Sequence, residues 1–211
     1  MFDLDNTLHD AIPHIFPELH RRMTAYLQAA LGLDEAEAGA LRREYWRRYG
    51  ATLLGMIRHH GTNPRDFLLA THEFPELRRL VVSEPGLRRL LQRLPGRKFI
   101  LSNAPQHYVR AVLRVLKISH LFDDILSIEH TRYRPKPDCY GFLRLIKRRR
   151  LDPRRCVMVD DSAANLRTAK RLRMQTVWIT ESDKWPDYID YKVRSLAQLR
   201  RLRRFWTRNR R

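Results

Sequence analysis

The sequence predicts an α/β protein: a parallel sheet with helices on both faces, interrupted near its start by an all-helical insertion. The prediction rests first on an alternation. From residue 84 onward, short runs rich in β-branched and aromatic residues alternate with segments of helical period, the pattern of a parallel sheet. It rests next on a contrast, because residues 11–83 carry almost no strand signal and read as helices. It rests finally on where polar residues fall. Acids and hydroxyls stand just after apolar runs, with a lysine in a turn between two of them, and open parallel sheets bind ligands beyond the ends of their strands.

Met1 to Leu8 reads as the end of a strand running into a polar turn. Pro17-Glu18-Leu19 opens a helix with apolar residues at Met23, Leu27 and Leu31, and Gly32 stops it. Asp34-Glu35-Ala36-Glu37 places acids in the first turn of the next helix, where the dipole favours them. That helix runs to about Tyr49, ahead of Gly50, and a third spans Thr52 to His60 before Gly61-Thr62-Asn63-Pro64. After Glu84-Pro85-Gly86, strands are expected over 98–101, 124–128 and 156–159, with a final one over 176–179. Helices are expected over 106–117, 138–150 and 163–173. The predicted organisation is a core from 1–10 and 84–198, a helical insertion over 11–83, and a basic tail over 199–211.

With 211 residues, 43% of them hydrophobic, the chain can bury a proper core. No run of about 18 apolar residues is present, so no membrane-spanning helix is expected, and no secretory leader is visible. Two cysteines, Cys139 and Cys156, are too few for a disulfide framework and suggest a reduced, cytoplasmic setting. The formal charge of +19 draws the chain to anions such as phosphorylated metabolites or nucleic acid. Arg200–Arg211 holds seven arginines with Phe205 and Trp206 among them. This tail reads as a solvated basic extension or as a weak nucleic-acid contact through base stacking.

The polar residues behind the strands suit phosphoryl transfer. Asp3, Asp5 and Thr7 follow the first run, Ser102 and Asn103 follow Phe99-Ile100-Leu101, and Asp160 and Asp161 follow Cys156–Val159. Lys136 sits in the turn Arg134-Pro135-Lys136-Pro137 at the start of a helix. Carboxylates crowded at one spot repel and call for a cation, and an oxygen-only set suits Mg²⁺. The ion would screen an attacking carboxylate from the phosphate. Asp3, first after the strand, is the candidate nucleophile. Asp5 lies two residues on, on the same side of an extended backbone, and can protonate a leaving alkoxide and then deprotonate water. Ser102 and Lys136 can hold phosphoryl oxygens, and Thr7 and Asn103 join them as phosphate-binding candidates. Singly, each piece has a plainer reading: Asp3-Leu4-Asp5 as a turn or cap, Asp160-Asp161-Ser162 as a helix N-terminus, Lys136 as a surface lysine. Their order behind the strands is what points to chemistry.

These motifs, Asp3-Leu4-Asp5-Asn6-Thr7, Leu101-Ser102-Asn103, Lys136 and Val159-Asp160-Asp161-Ser162, resemble those of the haloacid dehalogenase superfamily. The resemblance covers the chain to about residue 198 and implies a Rossmann-like core with a type 1 helical cap. It implies that Asp3 is the nucleophile and Asp5 the acid/base. It also implies that Mg²⁺ is held by Asp3, the backbone carbonyl of Asp5 and Asp161, with Asp160 in support. Tyr45-Trp46-Arg47-Arg48-Tyr49-Gly50, then Leu54-Gly55-Met56, together with Phe2 to Leu8, resemble the pyrimidine 5′-nucleotidase branch, which would make the substrate a nucleoside monophosphate such as UMP or CMP. Tyr45 and Tyr49 share a helix face and could meet a base, with Arg48 or His59 on ribose or carbonyl oxygens, or they could be ordinary packing.

Other readings are a phosphatase for a different small ester, a phosphomutase, a dehalogenase, or a basic RNA-associated protein with a degenerate site. The intact motifs argue against the last. A halide leaves unprotonated, so Asp5 argues against the dehalogenase. The family has an apolar run ahead of the nucleophile, whereas only Met1 and Phe2 precede Asp3. Loss of a buried central strand would take a large part of a typical stability margin, so a start further upstream is expected.

Overall fold

The computed structural model describes residues 1–202; the remainder of the basic tail, Phe205 and Trp206 included, lies outside the described residues. The described residues form two compact units, one holding Ala11–Leu80 and the other Met1–Asp10 with the described residues from Val81 onward.

The first unit is helical: α1 (Phe16–Leu31), α2 (Glu35–Tyr49), α3 (Thr52–His60), α4 (Pro64–His72) and the single turn α5 (Leu77–Leu80). The start of α2 is a capping box, in which Glu37 N donates to Asp34 Oδ1 (2.8 Å) and Asp34 N to Glu37 Oε2 (3.0 Å). Gly32, Gly50 and Gly61 close the first three helices with φ of 69°, 79° and 61°, the left-handed conformation glycine adopts without strain. Asn63 and Pro64, which end α3 in the sequence reading, also start α4. The Asn63 side chain accepts from Arg65 N at 2.9 Å, and proline is well placed in a first helical turn. Leu27 of α1 and Phe67 of α4 are completely buried, and Tyr26 meets the Phe67 ring edge-on with centroids 5.0 Å apart.

The second unit contains α6 (Leu87–Arg93), β1 (Phe99–Leu101), α7 (Gln106–Val115), β2 (Asp124–Leu126) and α8 (Cys139–Arg149). It continues with β3 (Val157–Asp160), α9 (Ala163–Arg171), β4 (Gln175–Ile179) and β5 (Tyr191–Val193). β1 pairs with β2, and β4 lies between β3 and β5, all in parallel. Phe2 joins the two groups by bridging to Ile100 on one side and Val159 on the other. Phe2 N donates to Phe99 O (2.8 Å), Leu101 N to Phe2 O (3.0 Å), Asp3 N to Val159 O (3.0 Å) and Val159 N to Met1 O (3.0 Å). Residues 1–3 therefore hold the centre of the sheet, and Asp3 leaves it at the carboxyl end. The apolar strands are buried on both faces, as parallel strands covered by helices are, with Phe99, Leu101, Phe142, Met158 and Leu166 in one core.

Two elements depart from expectation. α6 follows Gly86 directly and is too short to show a helical period. β5 lies beyond the strand expected to be last. It is three residues long with Lys192 at its middle, so it gives no run of strand type, and it is placed by tertiary bonds such as Thr180 N to Val193 O at 2.9 Å. The boundary between units falls at residue 81 because Asp10 N donates to Val82 O (2.8 Å), pulling the returning chain onto the sheet unit. At the far end the Glu84 carboxylate accepts from Leu196 N (3.0 Å) and Ala197 N (3.1 Å), and Leu199 is completely buried. Among the described residues no helix is long and apolar enough to cross a membrane.

Candidate active site

Asp3 stands where the central position of the sheet ends. The chain then turns at once: Leu8 N donates to Leu4 O at 2.8 Å, and Leu4 is completely buried as the anchor. Asn6 takes φ of 56° within this turn, a conformation asparagine tolerates better than most residues, and its side chain bonds Asp161.

Lys136 is almost fully buried, and its Nζ lies 2.9 Å from Asp3 Oδ1 and 2.8 Å from Asp160 Oδ2. Its placement depends on Asn103, whose Nδ2 donates to Lys136 O (3.0 Å) and whose Oδ1 accepts from Lys136 N (2.7 Å). Asn103 was expected to bind phosphate. In the structure its amide locks the Lys136 backbone, because carbonyl and N–H of one backbone residue match both ends of the amide. Asp160 is similarly occupied. Its Oδ1 accepts from Ser162 N (2.8 Å) and Asn165 Nδ2 (3.0 Å), and its Oδ2 from Lys136. Asp161, by contrast, keeps its backbone carbonyl for Trp178 Nε1 (2.8 Å) and its carboxylate toward the cluster.

Asp3, Asp160 and Asp161 each offer an oxygen, all within 4.8 Å of one another. Burial and the neighbouring Asp160, Asp161 and Asp5 raise the Asp3 carboxyl well above its usual range, although Lys136 pulls the other way. Burial, with Asp160 beside it, raises Asp161 to about 6 against the pull of Lys136 and Asn6. Burial alone would depress the Lys136 ammonium, but Asp160 and Asp3 more than offset that and it ends above its ordinary value. One firmly charged ammonium thus faces three carboxylates. The uncompensated charge and the all-oxygen donor set fit a hard divalent cation.

Two hydroxyls complete the site. Thr7 Oγ1 is buried and has no protein partner, and a buried orphan hydroxyl calls for an outside partner. Ser102 follows β1 directly; its Oγ accepts from Ala104 N (3.0 Å), which leaves its own hydrogen to donate. Asp5 is held by residues the sequence did not single out. Tyr108 Oη donates to Asp5 Oδ1 at 2.8 Å, and His9 Nε2 lies 2.9 Å from the same oxygen. Burial, with Asp5 adjacent, pushes the Tyr108 phenol far above its ordinary value, so it stays protonated. Tyr108 shares the buried face of α7 with Val109 and Val112, so in sequence it cannot be told from packing.

The residues expected to choose the substrate lie within the helical unit, on α2 and α3. Tyr45 is buried, and its Oη bonds His60 Nε2 at 2.7 Å. A Cβ on Gly55 would sit 2.1 Å from Tyr45 Cγ, so the ring fills the space that glycine leaves. Tyr45 is therefore a packing residue of this unit and not a free stacking platform. Tyr49 Oη bonds His59 Nε2 at 2.6 Å. The Arg48 and Arg58 guanidinium groups lie 5.5 Å and 5.6 Å from the Tyr49 ring.

A profile of haloacid dehalogenase-like hydrolases matches residues 1–173, a span that includes every residue of the carboxylate cluster. The chain belongs to this family. It is 27% identical over 193 residues to a phosphoglycolate phosphatase of Pseudomonas putida, covering 85% of this chain and 68% of that protein. Among solved structures it is similar to a HAD phosphatase from Thermococcus onnurineus, with a TM-score of 0.70 and 23% identity over 95% of each chain. It is also similar to an L-2-haloacid dehalogenase from Xanthobacter autotrophicus, with a TM-score of 0.62 and 16% identity over 96% of each chain. The architecture is thus a Rossmann-like core with an inserted helical unit. Because that fold carries both a phosphatase and a dehalogenase, the reaction has to be argued from the site.

Proposed function

We propose that the protein is a Mg²⁺-dependent phosphomonoester hydrolase that forms an aspartyl-phosphate on Asp3. The observation that carries this reading is the cluster of Asp3, Asp160 and Asp161 within 4.8 Å, with the Lys136 ammonium against two of them. Asp3, the backbone carbonyl of Asp5 and Asp161 would hold the ion, with Asp160 in support. When bound, Mg²⁺ would offset the repulsion between an attacking carboxylate and the phosphate.

In the first step an Asp3 oxygen attacks phosphorus, the bond from phosphorus to the ester oxygen breaks, and Asp5 gives its proton to the departing alkoxide. In the second, Asp5 takes a proton from water, whose oxygen attacks phosphorus while the bond to Asp3 breaks. Phosphate leaves and both carboxyls are restored. Lys136, Ser102 and Thr7 hold the phosphoryl oxygens, where charge concentrates. A dehalogenase would expel a halide that takes no proton and would leave Asp5 without a task.

These residues meet only the group that all phosphate esters share, so we assign the choice of leaving group to the helical unit. The relative's name suggests a short phosphorylated carboxylic acid such as phosphoglycolate. The set of Tyr49, His59 and Arg48 on one surface supports a second reading, a pyrimidine nucleoside monophosphate, now without Tyr45. The two free cysteines, Cys139 and Cys156, favour a reducing compartment such as the cytoplasm.

Asp3→Asn should abolish turnover of p-nitrophenyl phosphate in a protein that still melts cooperatively; steady turnover by that variant would remove the mechanism. Comparing kcat/KM for phosphoglycolate, UMP, CMP and AMP in wild type and Tyr49→Ala separates the substrate classes. A nucleotidase prefers UMP and CMP, and the preference shrinks in the variant.

A further inference from the structure

We infer that His9 and Tyr108 are positioning residues that hold Asp5 in the orientation its proton transfer requires. The inference rests on the reading of Asp5 as acid/base. His9 and Tyr108 are only 3% and 2% exposed, and both reach the same carboxylate oxygen, Oδ1, at 2.9 Å and 2.8 Å. Tyr108 comes from the first turn of α7 and His9 from the turn after Asp3, so Asp5 is gripped from two separate parts of the sheet unit. The His9 side chain has no exposed surface, and its Nδ1 is buried without a partner. The tautomer with hydrogen on Nε2 makes that nitrogen the donor to Asp5 and leaves Nδ1 bare.

The torsion that turns a carboxyl plane is soft, so an aspartate without such contacts sweeps its oxygens through a wide arc. Two donors on Oδ1 fix the plane and leave Oδ2 as the oxygen that carries the proton. The grip also commits the acid to one direction before substrate arrives. Misplacement by about 1 Å can cost on the order of 10²-fold in rate, so the two contacts matter to chemistry without touching the substrate.

The experiment uses Tyr108→Phe, His9→Leu and His9→Gln with Mg²⁺, measuring kcat/KM on p-nitrophenyl phosphate and on an alkyl phosphate such as β-glycerophosphate, with Asp5→Asn alongside. This ratio reports the step in which the ester oxygen leaves. An alkyl oxygen needs the proton and a nitrophenyl oxygen hardly does. Tyr108→Phe and His9→Leu should lose roughly tenfold or more on the alkyl ester and less than about threefold on the aryl ester. His9→Gln, which returns an N–H donor, should recover most of the alkyl rate. Phenylalanine fills nearly the same volume as tyrosine, so Tyr108→Phe decides the matter even if His9→Leu does not fold. Equal losses on both esters, or none, in Tyr108→Phe while Asp5→Asn discriminates between them would overturn the inference. If Asp5→Asn itself fails to discriminate, the acid/base reading is what falls.

Discussion

Lys136 Nζ lies 2.9 Å from Asp3 Oδ1, and the same ammonium lies 2.8 Å from Asp160 Oδ2. A cation with two carboxylate neighbours in a nearly closed site is costly to remove, because the acids are then left buried and uncompensated. Lys136→Ala should destabilise the sheet unit by about 3 kcal/mol or more and lower kcat on the order of 10²-fold. Lys136→Arg should not restore the rate, since a planar guanidinium cannot replace a point charge between two acids. Thermal melts and steady-state kinetics on both variants check this; wild-type kcat in Lys136→Ala would contradict it.

Excess EDTA should abolish turnover and added Mg²⁺ should restore it. Asp161→Ala should raise the Mg²⁺ concentration needed for half-maximal rate, because that carboxylate is one of the three whose oxygens gather within 4.8 Å. Asp160→Ala should in addition lower stability, since it leaves the buried Lys136 ammonium with Asp3 alone and takes the acceptor of Asn165 Nδ2 away. Full activity in chelator would exclude a metal at this cluster.

Gly55→Ala offers a test of the helical unit that is independent of catalysis. In an exposed helix the change stabilises by about 1 kcal/mol. Here the added Cβ would fall 2.1 Å from Tyr45 Cγ, so a loss of about 1–3 kcal/mol is expected from overpacking. In the Tyr45→Ala background the ring contacts go, while Tyr45 Cβ, 2.6 Å from the added atom, stays, so the penalty should shrink without vanishing, which a double-mutant cycle by denaturant titration measures directly.

The same unit carries a pH-sensitive contact. Hydrogen bonds from Arg21, and then from Arg22, hold the Glu18 carboxyl down at about 2. Its folded value is below its unfolded one, so the contribution is complete above about pH 4.3 and drains away as pH falls toward 2. The side chains are partly exposed, Glu18 by 26% and Arg21 by 67%, so the gain is about 1 kcal/mol at most. Wild type should melt above Glu18→Gln at pH 6, and the gap should close near pH 2.5.

The sequence made the chemistry at the strand ends more legible than the architecture around it. Asp3, Lys136 and Asp161 were visible because each follows an apolar run or a proline turn, and a sheet has only one carboxyl edge. The grip on Asp5 was not visible, because a buried tyrosine on an amphipathic helix carries the signature of packing whether or not its hydroxyl has work. Asn103 was visible, but its bonds to the Lys136 backbone were not, since residue type says nothing of which partner the amide finds. Tyr45 and Tyr49 lie four apart and share a face, but only the close approach of Gly55 decides which of them turns inward. β5 escaped because its pairing with β4 supplies what its own three residues lack.

The central position of the sheet, filled by Met1 to Asp3 and flanked by β1 and β3, has a consequence for the order in which the protein is made. Phe2 cannot complete its pairing until Val159 has been synthesised, so the sheet unit has no closed middle for most of translation. Ala11–Leu80, by contrast, is contiguous and helical, and its contacts are available as soon as it emerges. Joining Phe2 to Val159 closes a long loop, whose entropic cost grows only slowly with length but whose rate falls as contacts become less local. On the ribosome, then, every partner within the helical unit is at hand well before Asp3 and its apolar neighbours can be enclosed by β3.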